Sequence, residues 1–590
     1  MILQALTQYY DALNARGEIA APGWGYPKIS YALQLRENGE LMQVTPLLHE
    51  VESGKKKVLR PAEDMRLPTA VKRSSGIASN FLWDNSAYLL GIVDTSKENS
   101  SKKREDKEKR AVQCFQAAAA LHHELLDSIN FPVARAILAF FDTWQPSGAA
   151  LNLALAEVYS QITSGANLVF RVNSQYAQDD PAVCAAWQQH YDGASDAPRQ
   201  QCLVTGEPDE IAAVHPSIKG VRDAQSSGAA LVSFNAPAFC SYGHEQNYNA
   251  PVGRHAAFAY TTALNHLLAD RERTRFIGDT TVVCWAETAE EQYVDFFDAV
   301  SDGGSAVWSD NDLAAALNQL ANGEPCTELG LDPKRSFYIL GLAPNAARLS
   351  VRFFLKNSFG DLMKNINAHY ERLKIKRPAN ENSGFLPLWK LLAETVNQNA
   401  RDKKPSPVMA GAAARAVWNG ERYPAALLNG IMLRIRADRN VNWRRAAILK
   451  AYYKKENELR PNKDCPEEIL IMGLNEASTN IPYTLGRLFS LYEAAQQAAN
   501  PGINTTIKDK YFNSAASAPA SIFPILGNLC QKHLRKLQPG QRIYYDKQIS
   551  ELKNILGETY PARLNLPQQG SFDLGYYHQT QKHFTKKEDK

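Results

Sequence analysis

The opening stretch MILQALTQYYDALNARG brings Leu3, Leu6, Tyr10 and Leu13 to one side at helical spacing, which predicts an amphipathic helix. After it, ISYALQLRENGELMQVTPL alternates apolar and polar positions on either side of Asn38-Gly39. That dipeptide suits the two positive φ angles of a type I′ turn, so a β-hairpin is expected. A second polar turn falls at 53–57, and the Pro- and Gly-punctuated LRPAEDMRLPTAVKRSSGIASNFLWDNSAYLLGI reads as loop. The charge-rich stretch 97–110 is expected in solvent, ahead of helices at 111–128 and, past Phe131-Pro132, at 133–143.

In the middle, short β-branched or aromatic runs near 167–172, 202–204, 230–234 and 280–286 predict strands. SFYILGLA and RLSVRFFLK read as an antiparallel pair across Pro344-Asn345. Helical periodicity recurs at 181–190, 256–268, 289–300, 311–320 and 359–373. Beyond about residue 384 β-branched runs vanish and helical patterns such as ALLNGIMLRIRA, NWRRAAILKAYYKK and LGRLFSLYEAAQQAA dominate. The fold class expected is α+β: a mixed N-terminal and middle region with antiparallel hairpins, then a C-terminal all-α helical bundle. The expected division is 1–150, an acidic middle at 151–380 and a basic helical portion at 381–590, with the boundary at KIKRPANENSG.

Length and composition narrow the class. A chain of 590 residues with 44% hydrophobic content can bury several cores. Its mean hydropathy is −0.37, and apolar runs such as 136–141 fall well short of the roughly 20 residues that cross a bilayer. With no basic n-region or cleavage site at its start, the chain is expected to be cytoplasmic and without a membrane partner. The eight cysteines are scattered with no C-x-x-C pair, which favours buried apolar filler over a disulfide framework or a zinc site.

Charge is unevenly placed. Residues 1–150 sum to about +1, 151–350 to about −13 and 351–590 to about +16, so the total of +4 conceals a bipolar chain. A basic module of that size favours a polyanionic partner, or else docks against the acidic segment.

No phosphate-cradling GxxxxGK[ST] and no strand followed by GxGxxG occurs. His122-His123 lacks metal-ligand spacing, and the carboxylates Asp179-Asp180 and Asp295 with Asp298 read as solvated faces rather than a magnesium site. The terminal GYYHQTQ, with Tyr576, Tyr577, His578 and Gln579, reads as aromatic packing. No catalytic residue, metal or cofactor is therefore expected, and the chain is not expected to be an enzyme.

Three segments stand out as candidate nucleic-acid contacts. In VKRSSGIASN, Lys72 and Arg73 can donate to phosphates, while Ser74, Ser75, Ser79 and Asn80 supply short hydrogen-bonding groups. Gly76 permits close approach, and Phe81 and Trp83 add planes able to wedge or stack. Such small polar side chains suit the minor groove. A polar surface loop anchored by two buried aromatics has the same composition. The second segment, SYGHEQNYNAPVG, offers Tyr242, Gln246, Asn247 and Asn249. The third is the run Arg434, Arg436, Arg439, Arg444, Arg445 and Lys450, where Asn442 is a plausible N-cap placing arginines at a helix N-terminus.

Several of these stretches together resemble the large subunit of the type I-C CRISPR surveillance complex (Cascade): KRSSGIASNFLWDNSAYLLGI, LVSFNAPAFCSYGHEQNYNAPVG, AFAYTTALNHLL, YTLGRLFSLYEAAQQA, INTTIKDKYFNSAASAPASIFPIL and QGSFDLGYYHQTQ. The resemblance implies a non-catalytic subunit that recognises the protospacer-adjacent motif (PAM) in duplex DNA, helps open the duplex and recruits a separate helicase-nuclease. Guide RNA, target duplex DNA and the other Cascade backbone subunits are the implied partners, base pairing carrying the sequence specificity. It also implies a separate small subunit made from an internal start. Met472, heading a run of 119 residues with a charge of about +5, is the candidate, ahead of Met409 and Met432. The alternatives are a metal-dependent nucleic-acid-processing nuclease and a purely architectural ribonucleoprotein subunit.

Overall fold

The computed structural model describes residues 1–584 apart from 54–55, 63–64, 72, 74–75, 97, 99, 194–196, 303–307, 379–380, 382–384 and 402. The fold is α+β. Two compact units divide the chain: Tyr10–Pro216 with Phe234–Ala263, termed the N-terminal unit, and Met1–Tyr9, Ser217–Ser233 and Leu264–Lys590, termed the C-terminal unit. The boundary expected at 375–385 lies inside the second of these.

The chain begins with α1 (Ile2–Ala15), whose Leu6, Tyr10 and Leu13 are buried as the spacing predicts. Next come β1 (Trp24–Gly25), β2 (Tyr31–Leu35), β3 (Leu41–Pro46), β4 (Leu48–Ser53), β5 (Lys56–Pro61), β6 (Leu67–Pro68) and β7 (Trp83–Asn85). They lead into α2 (Ser86–Leu89), α3 (Ser101–Leu126), α4 (Pro132–Thr143) and α5 (Tyr159–Thr163). Then follow β8 (Asn167–Val172), β9 (Gln175–Tyr176), α6 (Pro181–Asp192), β10 (Arg199–Gln201), β11 (Pro208–Glu210) and α7 (Arg254–Ala269). The main sheet has the order β3-β2-β8-β7 with β9 also on β8, and β2 runs parallel to β8, Leu33 opposite Phe170.

The hairpin at Asn38-Gly39 forms, but its turn differs from the type I′ expectation: Gly39 has φ 84° and Asn38 does not share the positive region. Gly39 N–H donates to Arg36 C=O at 3.0 Å and Arg36 N–H to Glu40 C=O at 2.9 Å, the bonding of a G1 bulge. A Cβ at position 39 would also collide with the α4 backbone at Ala139 and Phe140. The second correction is α3, which starts at Ser101 rather than 111. Its first turns are exposed, as expected of the charged stretch, but its lysines, arginines and glutamates are good helix formers and Glu105 pairs with Lys109 one turn on at 2.7 Å. The strands expected at 202–204 and 230–234 are absent. Residues 202–206 turn between β10 and β11, and of the latter segment Ala230 alone makes a bridge, to Arg348.

In the C-terminal unit, β12 (Arg275–Ile277), β13 (Thr280–Ala286), β14 (Ser336–Asn345) and β15 (Arg348–Ser358) form an antiparallel sheet in that order. The β14–β15 turn is centred on Ala346 and Ala347, just past the expected Pro344-Asn345. Helices α8 (Glu291–Asp302), α9 (Asp310–Ala321) and α10 (Phe359–Leu373) share a core with the sheet through Phe296, Phe297, Phe337 and Phe359. The remaining elements are all helical: α11 (Leu388–Ala393), α12 (Pro407–Trp418), α13 (Ala425–Asp438), α14 (Trp443–Leu459), α15 (Ile481–Ala499), α16 (Ile507–Ser517), α17 (Pro519–Leu534), α18 (Pro539–Leu556) and α19 (Leu566–Phe584). Their buried apolar residues belong to the same core, and polar contacts span it: Arg372 of α10 pairs with Glu458 of α14 at 2.6 Å and Tyr577 of α19 donates to Lys376 C=O at 2.6 Å. Helices α15 and α19 meet backbone to backbone, since a Cβ on Gly486 would strike the Phe572 carbonyl and one on Gly575 the Tyr483 carbonyl. That crossing buries Tyr576, Tyr577 and His578 as the terminal aromatic pattern predicts, with Tyr483 Oη 2.9 Å from His578 Nδ1.

Candidate nucleic-acid interface

The loop 71–80 stands on a built foundation. Arg73 Nε donates to Ala78 C=O at 2.6 Å, its terminal nitrogens bridge both oxygens of the buried Asp84 carboxylate, and its guanidinium lies 4.0 Å from the Tyr88 ring centroid. Asp84 also accepts from Asn80 N–H at 3.0 Å, while Asn80 Oδ1 accepts from Val71 N–H at 2.9 Å. The two ends of the loop are thereby tied together.

Beyond the tie, Leu82 takes the left-handed conformation, φ 68°, a costly choice for a branched residue. Its N–H donates to His122 Nε2 at 3.0 Å, and His122 Nδ1 lies 2.7 Å from Ala118 C=O. One ring nitrogen must accept and the other donate, so the imidazole is neutral with its proton on Nδ1. Burial agrees, pushing it down to about 4.

These bonds correct part of the sequence reading. Phe81 is fully buried, its ring stacked on Trp187 with centroids 5.7 Å apart, and it anchors the core instead of facing a groove. Ser79 and Asn80 are each only 5% exposed and are spent on the loop's own backbone. Arg73 is a clamp and no free phosphate donor. Gly76 is exposed with open space around its Cα. Lys72, Ser74 and Ser75 lie outside the described residues.

The second segment is likewise self-stapled. Asn249 Oδ1 accepts from Ser241 N–H at 2.7 Å and its Nδ2 donates to His244 and Gln246 carbonyls at 3.1 and 2.9 Å. Asn247 is buried beneath it, whereas Gln246 is exposed and Tyr242, at φ 54°, is 99% exposed. Tyr242 is thus an accessible aromatic plane, whereas Phe81 and Trp83, the aromatics that the sequence suggests, are buried.

The basic run also needs correction. Asn442 does cap α14, accepting from Arg445 N–H at 2.9 Å, but Arg445 is buried between Glu394 at 3.0 Å and Asp438 at 2.6 Å. Arg434 is bound to Asp438, Arg444 lies 3.4 Å from Glu381, and Arg436 donates to Gln569. Lys450 is buried with Nζ 2.7 Å from Arg372 C=O, its ammonium pushed down to about 8 by burial. Within this run only Arg439, exposed at the left-handed end of α13, makes no side-chain hydrogen bond or ion pair among the described residues.

Other cations are exposed at the end of α17 and along α18. Lys532, Arg535, Arg542 and Lys547 are exposed and pair with no carboxylate among the described residues, and Ile543 and Tyr544 are exposed beside them. The sequence signal was the run QKHLRKLQPGQRIYYDKQ, which carries an aromatic pair among cations. Of the acidic candidates three are structural: Asp180 caps α6, accepting from Ala182 N–H at 2.9 Å, Asp295 pairs with Arg273 at 3.1 Å and Asp298 with Arg275, while Asp179 is exposed. Among the described residues no three His, Cys, Asp or Glu side chains gather as a metal site, and no helix is long and apolar enough to cross a membrane.

No curated protein matches the chain. A family model described as CRISPR-associated protein (Cas_Csd1) matches residues 6–584, which is nearly its whole length. With that match the stapled loops and the exposed cations acquire a context, and the chain belongs to the Cas_Csd1 family of CRISPR-associated proteins.

Proposed function

We propose that this protein is the non-catalytic large subunit of a type I-C RNA-guided DNA surveillance complex, recognising the PAM in duplex DNA, aiding duplex opening and recruiting the helicase-nuclease. The observation that carries the reading is the clamp of Arg73, Asp84 and Tyr88 under loop 71–80. A fixed foundation lets a short loop reach a groove without a large ordering cost at each encounter. In this reading Lys72, Ser74, Ser75 and Gly76 of the loop read the minor groove, and Tyr242 serves as the wedge. The cations Lys532, Arg535, Arg542 and Lys547 hold the displaced strand by its phosphates. Met472, exposed in the connection that precedes α15, is the start of the separate small subunit, which would carry those cations with it. Assembling the guide-loaded complex with and without this chain, and measuring binding to matched duplexes that differ only in the PAM, tests the reading. Discrimination should vanish when the chain is omitted.

A further inference from the structure

The N-terminal unit contains a cleft of about 370 Å³ lined by Trp24, Met65, Arg66, Tyr176, Gln178 and Asp179. Its rim is continuous with the foot of loop 71–80. Arg66 immediately precedes β6, Trp83 Nε1–H donates to Pro68 C=O at 2.8 Å, and Thr69 N–H donates to Gly23 C=O at 2.8 Å.

The polar groups of the cleft are held but not consumed. The Arg66 guanidinium lies 4.4 Å from the Trp24 ring centroid, so a face is used for stacking, and its N–H edges make no hydrogen bond or ion pair among the described residues. Gln178 is 8% exposed, and its Oε1 has no hydrogen-bond partner among the described residues. Such a buried acceptor costs stability unless something fills it. Asp179 is exposed and makes no ion pair among the described residues, and the half-buried Tyr176 supplies a flat wall.

This set selects a ligand chemistry. A phosphate would meet Asp179, and a lysine or arginine side chain would meet Arg66. A neutral planar ring carrying both acceptors and N–H donors meets neither penalty. The volume is too small for a helix or a duplex and ample for one base with its sugar. Guanine fits best, because O6 and N7 accept from an arginine while N1–H and the 2-amino group donate to a carboxylate or amide oxygen.

We propose that the cleft receives one unpaired nucleobase, guanine in preference, displaced beside the loop as the duplex opens, an inference that rests on the loop's proposed role. Paying for unstacking with a receiving pocket is how proteins hold an extruded base.

The test uses the full chain and fluorescein-labelled pentanucleotides TTGTT and TTTTT, read by anisotropy. TTGTT should bind about tenfold more tightly, and Asp179→Asn should reduce that preference to about twofold or less. Asp179 is exposed, so the variant should keep the thermal midpoint of the wild type. Equal binding of the two oligonucleotides by the wild type, or an intact preference in Asp179→Asn, overturns the proposal. PAM discrimination by the assembled complex is measured alongside. A guanine preference in a chain whose loop variants leave discrimination untouched would sustain the cleft and remove the loop's role, whereas discrimination without a guanine preference would remove the cleft alone.

Discussion

The backbone N–H of Leu82 donates to Nε2 of His122 at 3.0 Å, and this bond holds a left-handed leucine at the root of the loop that the account assigns to DNA. The acceptor role requires the neutral ring. With a folded value of about 4 against an ordinary 6.5, the unfolded chain binds more protons across that interval. The stability this confers is complete above pH 6.5 and is lost as pH falls through 4, about 3 kcal/mol in all. Urea midpoints measured from pH 7 to 4 should fall, and His122→Gln should show a shallower fall from a lower starting value.

Arg73 and Asp84 form the second tie. Arg73→Ala leaves a buried carboxylate without its cation and should cost about 2 to 3 kcal/mol in chemical denaturation. Adding Asp84→Asn should recover part of that loss. In the assembled complex Arg73→Ala should reduce PAM discrimination through the loop's position, with little change in salt dependence.

The two basic clusters should behave oppositely. Each of Lys532→Ala, Arg535→Ala, Arg542→Ala and Lys547→Ala that removes a phosphate contact should lower the salt slope of single-strand binding by roughly 0.7, with thermal midpoints unchanged. Arg445→Ala should leave the slope alone and destabilise the chain by about 3 kcal/mol, because Glu394 and Asp438 lose their shared partner.

Internal initiation is tested by substitution at the candidate start. Met472→Leu should eliminate a short C-terminal polypeptide, detected with a C-terminal tag, while the full chain persists. Its survival would move the start to another position or remove the second product altogether.

Much of the fold was legible because periodicity reports burial directly. The helix read at 359–373 has those bounds, helped by Ser358, which caps it by accepting from Asp361 N–H at 3.1 Å. The strand at 280–286 is buried along its whole length, as an unbroken apolar run implies. What composition could not reveal was which polar groups are already spent. The arginines at 434–445 look like a phosphate cradle until Glu381, Glu394 and Asp438 are brought beside them. Asn80 and Phe81 look like readers until Val71, Trp187 and His122 close around them. The pairings with Glu381, Glu394, His122 and Trp187 join segments far apart in the chain, on which local pattern is silent, whereas Asp438 and Val71 are near neighbours in sequence of the groups they hold.

At the centre of the proposed function, loop 71–80 reads the PAM. The most direct measurement is the ratio of affinities for two matched duplexes differing only in the PAM, taken on guide-loaded complexes with the wild-type chain and with Lys72→Ala, Ser74→Ala and Ser75→Ala combined. The account predicts equal incorporation of both chains and a ratio narrowed about tenfold in the variant, the size of one lost base-pair preference. A ratio unchanged by the triple substitution would contradict it.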